Sequence, residues 1–478
     1  MTPYQLHHRI LQAFPHQPTE EQLTAIDTFT AFLCSNQQMK AMILRGCAGT
    51  GKTTLVGAIV RALTMLRQTQ VLMAPTGRAA KVMSLFSGHT AFTIHRRIYR
   101  QKVAGTFSAF TLSDNRSQDT LFIVDECSMI ANSGFSDSNF GSGRLLDDLM
   151  QYVFQGRNCS LLLVGDSAQL PPVGEEESPA LQTDVIASYG AEVYEADLLT
   201  VVRQSQLSGI LFNATLIRQL ISSDNLSGLP PLHLKGFADI HLVSGNDLIE
   251  SLASSYAAVG IDETMVVTRS NKRANIYNQG IRARLLDREE RISSGDLLMV
   301  VKNNYHWAAS LGLGKEGENK LSFIANGDRA LVRRVRHERQ LYGFTFVDLT
   351  LRFPDYDDQE LTATVVLDSL TTEAPALTHE QQQHLYEEVM ADYADIPHKK
   401  ERMDKLKQDI HYNALQVKFG YAVTCHKAQG GQWEHIYIDQ GYLTDDMLNN
   451  DYIHWLYTAF TRATSQLFLV NWKESPRS

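Results

Sequence analysis

Cysteine is scarce: the 478 residues hold five, Cys34, Cys47, Cys127, Cys159 and Cys425, with no CxxC pair and no Cys/His cluster at metal-ligand spacing. That excludes a disulfide-stapled fold and a zinc module, and it fits a reducing compartment. No run of about 18 apolar residues occurs, and the start MTPYQLHHRILQAFPHQ has no basic stretch ahead of an apolar one. Neither a membrane partner nor a signal peptide is expected, and the expected location is cytoplasmic. Positive charge is also short, because 44 Lys and Arg against 53 Asp and Glu leave a net −9. A polyanion would therefore have to be held in a locally basic groove. No internal repeat is found. With 44% apolar and 20% charged residues the composition is that of globular domains, and the length suits two to four of them.

What is present is a set of apolar strands with polar ends. AMILR (41–45) runs into GCAGTGKTT, and LVGAIVRALTML then carries apolar residues at helical spacing. QVLMAPTG, TLFIVDECSM and CSLLLVGDSAQLPP repeat the pattern of a strand entering a polar loop. Such continuous apolar strands predict a buried parallel sheet, whose ligands bind at the carboxyl ends of the strands. A second set starts near residue 264 with TMVVTRSN and returns after 411 with LQVKFGYAVTCHKAQG, EHIYID and QLFLVNW, which predicts a second α/β lobe. Between them DLLMVVKNN, RALVRRV, GFTFVDLTLRF and LTATVVLD predict a small antiparallel sheet or barrel. Residues 378–410, charged and broken by Pro397, predict two helices that are either a solvated face or a substrate-contacting arm.

Three motifs carry chemistry. Gly46-Cys47-Ala48-Gly49-Thr50-Gly51-Lys52-Thr53, followed by Thr54, fits GxxxxGK[ST] in the strand–loop–helix setting that a phosphate-binding loop needs. Its glycines let backbone N–H groups surround phosphate oxygens, Lys52 reaches the β- and γ-phosphates of ATP, and Thr53 holds Mg2+. Asp125 and Glu126 end the LFIV strand, where one carboxylate suits Mg2+ and the other suits orienting or deprotonating a water. GDSAQLPPVG (165–174) places Gln169 in a proline-stiffened loop, available to a γ-phosphate or a water.

With DEC-S and GDxxQLPPVG in order, the chain resembles a superfamily 1 DNA helicase, and the resemblance covers nearly the whole sequence. APTGRAA (74–80), TIHR (93–96), VVRQ (201–204), YAVTCHKAQGGQW (421–433) and YTAFTRAT (457–464) resemble further motifs, in order, in the forms of the RecD-like and Dda-like branch. The chain departs from relatives in carrying Gln432 where an acid is frequent. The resemblance implies an α/β fold of two RecA-like parallel-sheet lobes, 1–200 and 201–300 with 411–478. It also implies a hairpin at about 88–118 and an SH3-like insertion, 301–410, with a helical extension. It implies a 5′-to-3′ motor on single-stranded DNA that separates forked or tailed duplexes with ATP and Mg2+. A DNA-stimulated translocase that displaces proteins, or the motor subunit of a nuclease complex, shares the same motifs. A monomer on DNA is expected, with single-strand-binding or nuclease partners and roles in repair or recombination compatible with it.

Residue by residue, the resemblance gives Gln22 contact with adenine and makes Arg203 and Arg462 arginine fingers beside the catalytic Glu126, Lys52 and Gln169. A guanidinium reaching across a cleft stabilises transition-state charge and senses nucleotide. Thr76, Arg78, Thr93, His95, Asn271, Thr424, His426 and Lys427 are the expected DNA contacts, although His95 and His426 also fit as structural histidines. Arg96, Arg97, Arg100 and Lys102, and Arg333, Arg334, Arg336 and Arg339, are local basic runs that fit either a groove or a solvated face. Phe107 and Phe110 are candidates for a wedge stacking on the last base pair, with ordinary packing as the competing reading.

Overall fold

The computed structural model describes residues 2–101, 110–134, 141–201, 208–223, 232–304, 306–309, 324–356, 358–444 and 447–472. Its first sheet runs Ala91–Thr93, Thr69–Ala74, Thr120–Val124, Ser160–Gly165, Lys40–Gly46 and Glu192–Leu198, every neighbouring pair parallel. Thr120–Val124 and Ser160–Gly165 are buried at every position. Helices cover both faces, so beyond the buried Thr120 and Ser160 at their starts these strands are apolar up to Val124 and Gly165. One face packs Phe29, Leu55, Ile59 and Met83, and the other packs Ile94, Leu146, Leu149 and Val153. Helix Glu20–Cys34 starts at a capping box in which Thr19 and Gln22 each bond the other's backbone N–H.

The second sheet, Ala422–Thr424, Thr264–Thr268, Trp433–Asp439, Ala463–Val470 and Ile240–Val243, is also parallel throughout. Between its strands the chain makes a closed five-stranded barrel from Leu297–Val300, Arg329–Leu341, Phe344–Phe353, Gln359–Val366 and Leu415–Phe419. Two boundaries read from sequence move outward here. Leu297–Val300, read as a barrel strand but cut off by the bound at 300, and LQVKF (415–419), placed in the second lobe, pair antiparallel with each other, Leu298 opposite Phe419, and so close the barrel. A fully buried apolar strand reads alike in a sheet and in a barrel wall, which is why the sequence pattern did not separate them.

Helices His379–Ala391 and Lys399–Gln408 flank Pro397. Their Leu385, Val389 and Leu406 pack on Phe344 and Phe346 of the barrel, so the charged run has one buried face. Tyr99–Gln101 pairs antiparallel with Phe110–Leu112, at the two ends of the hairpin read from sequence. Phe107 lies outside the described residues, and Phe110 opens the second of these strands. No helix among the described residues is long and apolar enough to cross a membrane.

Candidate nucleotide site and nucleic-acid interface

The phosphate loop joins strand Lys40–Gly46 to helix Lys52–Met65. Gly49 at φ 76° and Gly51 at φ 83° take the left-handed conformation that lets the loop curl, at no steric cost for glycine. Thr50 Oγ1 donates to the Cys47 carbonyl at 2.8 Å. The Lys52 ammonium folds back onto the carbonyls of Gly46 and Cys47, the latter at 2.9 Å. Thr53 and Thr54 lie in the first turn of the helix. Gln22 is buried, and its Nε2 donates to the Thr50 carbonyl at 3.0 Å while its Oε1 takes the Thr19 N–H. It thus ties the first lobe's helix Glu20–Cys34 to the phosphate loop.

Asp125 and Glu126 follow strand Thr120–Val124, which Ser160–Gly165 separates from the strand leading into this loop. Burial, and then the Glu126 charge, push the Asp125 carboxyl up to about 6, with Lys52 acting in the opposite direction. Asp125 Oδ1 accepts the Glu126 N–H at 2.9 Å, and Glu126 itself sits at φ 54°, a strained conformation for a residue with a side chain. That turn separates the two carboxylates, so adjacent acids in sequence are given different directions by the backbone.

Gln169 is buried, and its Oε1 is a buried acceptor without a hydrogen-bond partner among the described residues. Its loop is fastened to the second lobe. Leu170 N–H donates to Thr458 Oγ1 at 2.8 Å, Gln429 Nε2 donates to the Leu170 carbonyl at 2.7 Å, and His454 Nδ1 lies 2.9 Å from the Ala168 carbonyl. Asp166, almost fully buried, accepts from the Tyr457 hydroxyl at 2.7 Å, and the same hydroxyl accepts the Ala48 N–H of the phosphate loop at 3.0 Å. Sequence reading passed over Tyr457, because an aromatic in the apolar helix Asn450–Phe460 reads as core.

Arg462 is placed differently from expectation. Arg462 is 2% exposed and is turned into its own lobe, donating to Thr458 O at 3.1 Å, Gly431 O at 3.1 Å and Thr461 Oγ1 at 3.2 Å. In this structure it is spent on neighbours of the second lobe rather than on the phosphate loop. Arg203 lies outside the described residues. Among the described residues, a second-lobe cation found at the loop is Arg218, whose Nη1 lies 3.0 Å from Cys47 Sγ and donates to Leu199 O at 2.9 Å. A charge inside the apolar helix Gly209–Ser223 was the signal that would have pointed to it.

Of the expected DNA contacts, Thr76 and Thr93 cap helices, accepting from Ala79 and Arg96 N–H at 3.2 Å. Arg78 needs correction: its guanidinium lies over Trp433 at 4.4 Å, donates to the Gln432 carbonyl and pairs with Glu263 at 3.7 Å, so it joins the lobes instead of facing a ligand. The His95 ring packs on Tyr99, and burial pushes it down to about 4, so it stays neutral at physiological pH. Asn271 begins helix Asn271–Arg284 after the Ser270 cap. Thr424, His426 and Lys427 form the turn that leaves the second sheet, and burial lowers both His426 and Lys427, the lysine to about 8. Lys418, from the last barrel strand, is likewise lowered to about 8 by burial and raises the cost of charging Lys427. Arg96 lines a cleft with Lys81, Thr93, Asp355 and Tyr356, whereas Arg333 and Arg339 are paired with Glu360 and Asp348.

Residues 31–175 match the AAA domain family, and residues 419–470 match the UvrD-like helicase C-terminal domain family. In these stretches the chain is similar to superfamily 1 helicases. The ATP-dependent RecD2 DNA helicase of Deinococcus radiodurans is 30% identical over 32% of this chain, and the match spans 18% of RecD2. The ATP-dependent DNA helicase dda of Enterobacteria phage T4 is 25% identical over 54% of this chain and 55% of its own length. These two matches therefore cover a fifth and about half of the relatives. The Pif1 helicase from Bacteroides, solved with ADP-AlF3 and ssDNA, shows 15% identity over 96% of this chain and 93% of that one, with TM-score 0.47. The two family matches contain the two sides of the bridge described above, Ala48 and Asp166 in the first and Tyr457 in the second.

Proposed function

We propose that the protein is an ATP-dependent DNA helicase that moves 5′ to 3′ on single-stranded DNA and separates forked or tailed duplexes. The observation that carries the reading is a phosphate loop with Lys52, flanked by Asp125 and Glu126 on one side and gripped by the second lobe through Tyr457 and Arg218 on the other. A loop held from both lobes is the arrangement in which filling and emptying the site moves one lobe against the other.

Thr53 and Asp125 fit Mg2+, since a hydroxyl and a buried carboxylate are the hard oxygen donors it takes along with phosphates. Bound there, the ion neutralises phosphate charge. Lys52 exchanges the carbonyls of Gly46 and Cys47 for phosphate oxygens, Glu126 orients the attacking water, and Gln169 offers its unpaired Oε1 to that water. Gln22 braces the adenine side of the loop through Thr50. Arg462 and Arg203 are assigned to the nucleotide by the helicase likeness, which for Arg462 requires release from Gly431 and Thr461 on lobe closure.

Single-stranded DNA is assigned to the rim carrying Thr76, Thr93, Asn271, Thr424, His426 and Lys427. Hydroxyl, amide and cation contacts to phosphates give binding without sequence preference. Phe107 and Phe110 are the proposed wedge. Stacking costs about 1.4 kcal/mol per base-pair step, within reach of one hydrolysis. The protein is read as a monomer on DNA in a cytoplasmic setting. Lys52→Ala tests the site: DNA-stimulated ATP hydrolysis is expected to vanish, and substantial residual turnover refutes the assignment.

A further inference from the structure

We propose that Tyr457 is a positioning residue that competes with the nucleotide's phosphate for the Ala48 amide, and so releases the second lobe's grip when the site fills. The inference rests on the helicase reading above and adds a residue to it. Ala48 lies in the stretch of loop whose backbone N–H groups receive phosphate oxygens. In this structure that N–H donates instead to the Tyr457 hydroxyl at 3.0 Å, while the hydroxyl donates to Asp166 Oδ2 at 2.7 Å. The phenol oxygen thus stands in for a phosphate oxygen.

The surroundings make this a built contact. Tyr457 is 1% exposed and Asp166 is also 1% exposed, and Asp166 is fixed in turn by the Ala168 N–H on its other oxygen at 3.0 Å. The Ala48 side chain packs against the second-lobe core that contains Tyr457. Burial, followed by the Asp166 charge, raises the phenol well above its ordinary value, so it remains a hydroxyl that can donate to Asp166 and accept from Ala48. A phosphate oxygen is charged and is the stronger acceptor for an amide N–H than a neutral phenol. Entry of the phosphate therefore displaces the hydroxyl from Ala48, and phosphate loss restores the bond. Asp166 keeps hold of Tyr457 throughout, which links the event at the loop to the segment carrying Gln169.

The test compares the full-length wild type with Tyr457→Phe, measuring the affinity for a non-hydrolysed Mg–ATP analogue, ssDNA-stimulated ATPase activity and thermal midpoint. Deleting the competitor is expected to tighten the analogue about fivefold, the value of one neutral hydrogen bond. The stimulation of hydrolysis by ssDNA is expected to fall, because refilling of the Ala48 amide no longer accompanies product loss. Asp166→Asn, which keeps the shape but removes the charge anchoring the hydroxyl, is expected to shift affinity in the same direction by less. A lower thermal midpoint with unchanged or weaker analogue binding in Tyr457→Phe overturns the inference and leaves the helicase reading standing. Failure of the wild type itself to bind Mg–nucleotide overturns both.

Discussion

The guanidinium of Arg78 lies 4.4 Å over the indole of Trp433, and with its bond to the Gln432 carbonyl it fastens the start of helix Gly77–Ser87 to the second lobe. Arg78→Ala is expected to destabilise the fold by about 2 kcal/mol or more, since it deletes a buried cation–π stack and leaves Glu263 and the Gln432 carbonyl without their partner. Arg78→Lys should rescue little, because an ammonium does not reproduce the stacked planar geometry. Chemical denaturation of the three proteins measures this. Full stability of Arg78→Ala would show that the lobes do not depend on the contact.

Two glycines are expected to respond to alanine with opposite sign. A Cβ at Gly77 would meet Asp328 Oδ1 and the Tyr356 hydroxyl, each at 2.8 Å, and those groups are locked to each other by hydrogen bonds of 2.9 and 3.0 Å. Overpacking costs about 1–3 kcal/mol and outweighs the gain in helix propensity, so Gly77→Ala lowers the thermal midpoint. Gly280, inside helix Asn271–Arg284, has nothing within 4 Å of the added carbon, and Gly280→Ala should stabilise by about 0.5–1 kcal/mol.

Much of this architecture is legible in the sequence, for identifiable reasons. The phosphate loop needs its glycines and Lys52 at fixed spacing, and strands covered on both faces are largely apolar, so both leave local patterns. What lies between lobes leaves none. Arg78 reads as a DNA contact until Trp433, over 350 positions later, is placed beneath it, and Tyr457 reads as core until its hydroxyl is found between Asp166 and Ala48. Arg462 was legible as a motif but not in its orientation, which depends on the Gly431 carbonyl offered by another segment. The barrel was legible strand by strand, whereas its closure by Leu415–Phe419 is a pairing with Leu297–Val300 across more than a hundred residues.

DNA affinity is expected to fall as pH rises through about 8. Lys418 donates to the Thr372 carbonyl and Lys427 to the Pro375 carbonyl, and burial holds both near 8. Their folded values lie below the ordinary lysine value, so the unfolded chain binds more protons above about pH 8, and the free protein gains stability with pH over that window. A bound phosphate needs the charged form, so raising pH from 7 to 9 should cost up to about tenfold in affinity per lysine that contacts it. Fluorescence anisotropy with oligo-dT checks this: wild type should lose more than Lys418→Met with Lys427→Met, and parallel pH profiles would contradict it.

Lys52→Ala removes the ammonium that bridges the carbonyls of Gly46 and Cys47, and none of these three residues is an expected DNA contact. Nucleotide-free ssDNA binding should stay within a few-fold of wild type while ATP turnover is lost. A parallel collapse of DNA binding would mean that the loop had unfolded and would leave the nucleotide role to a Lys52→Met comparison.

The most direct measurement is strand separation with ATP and Mg2+ on matched duplexes carrying either a 5′ or a 3′ single-stranded tail, with Lys52→Ala as the control. The proposed function requires unwinding from the 5′ tail alone, absent in the variant. Unwinding from the 3′ tail alone would contradict the polarity, and DNA-stimulated hydrolysis without strand separation would contradict the helicase and leave a translocase.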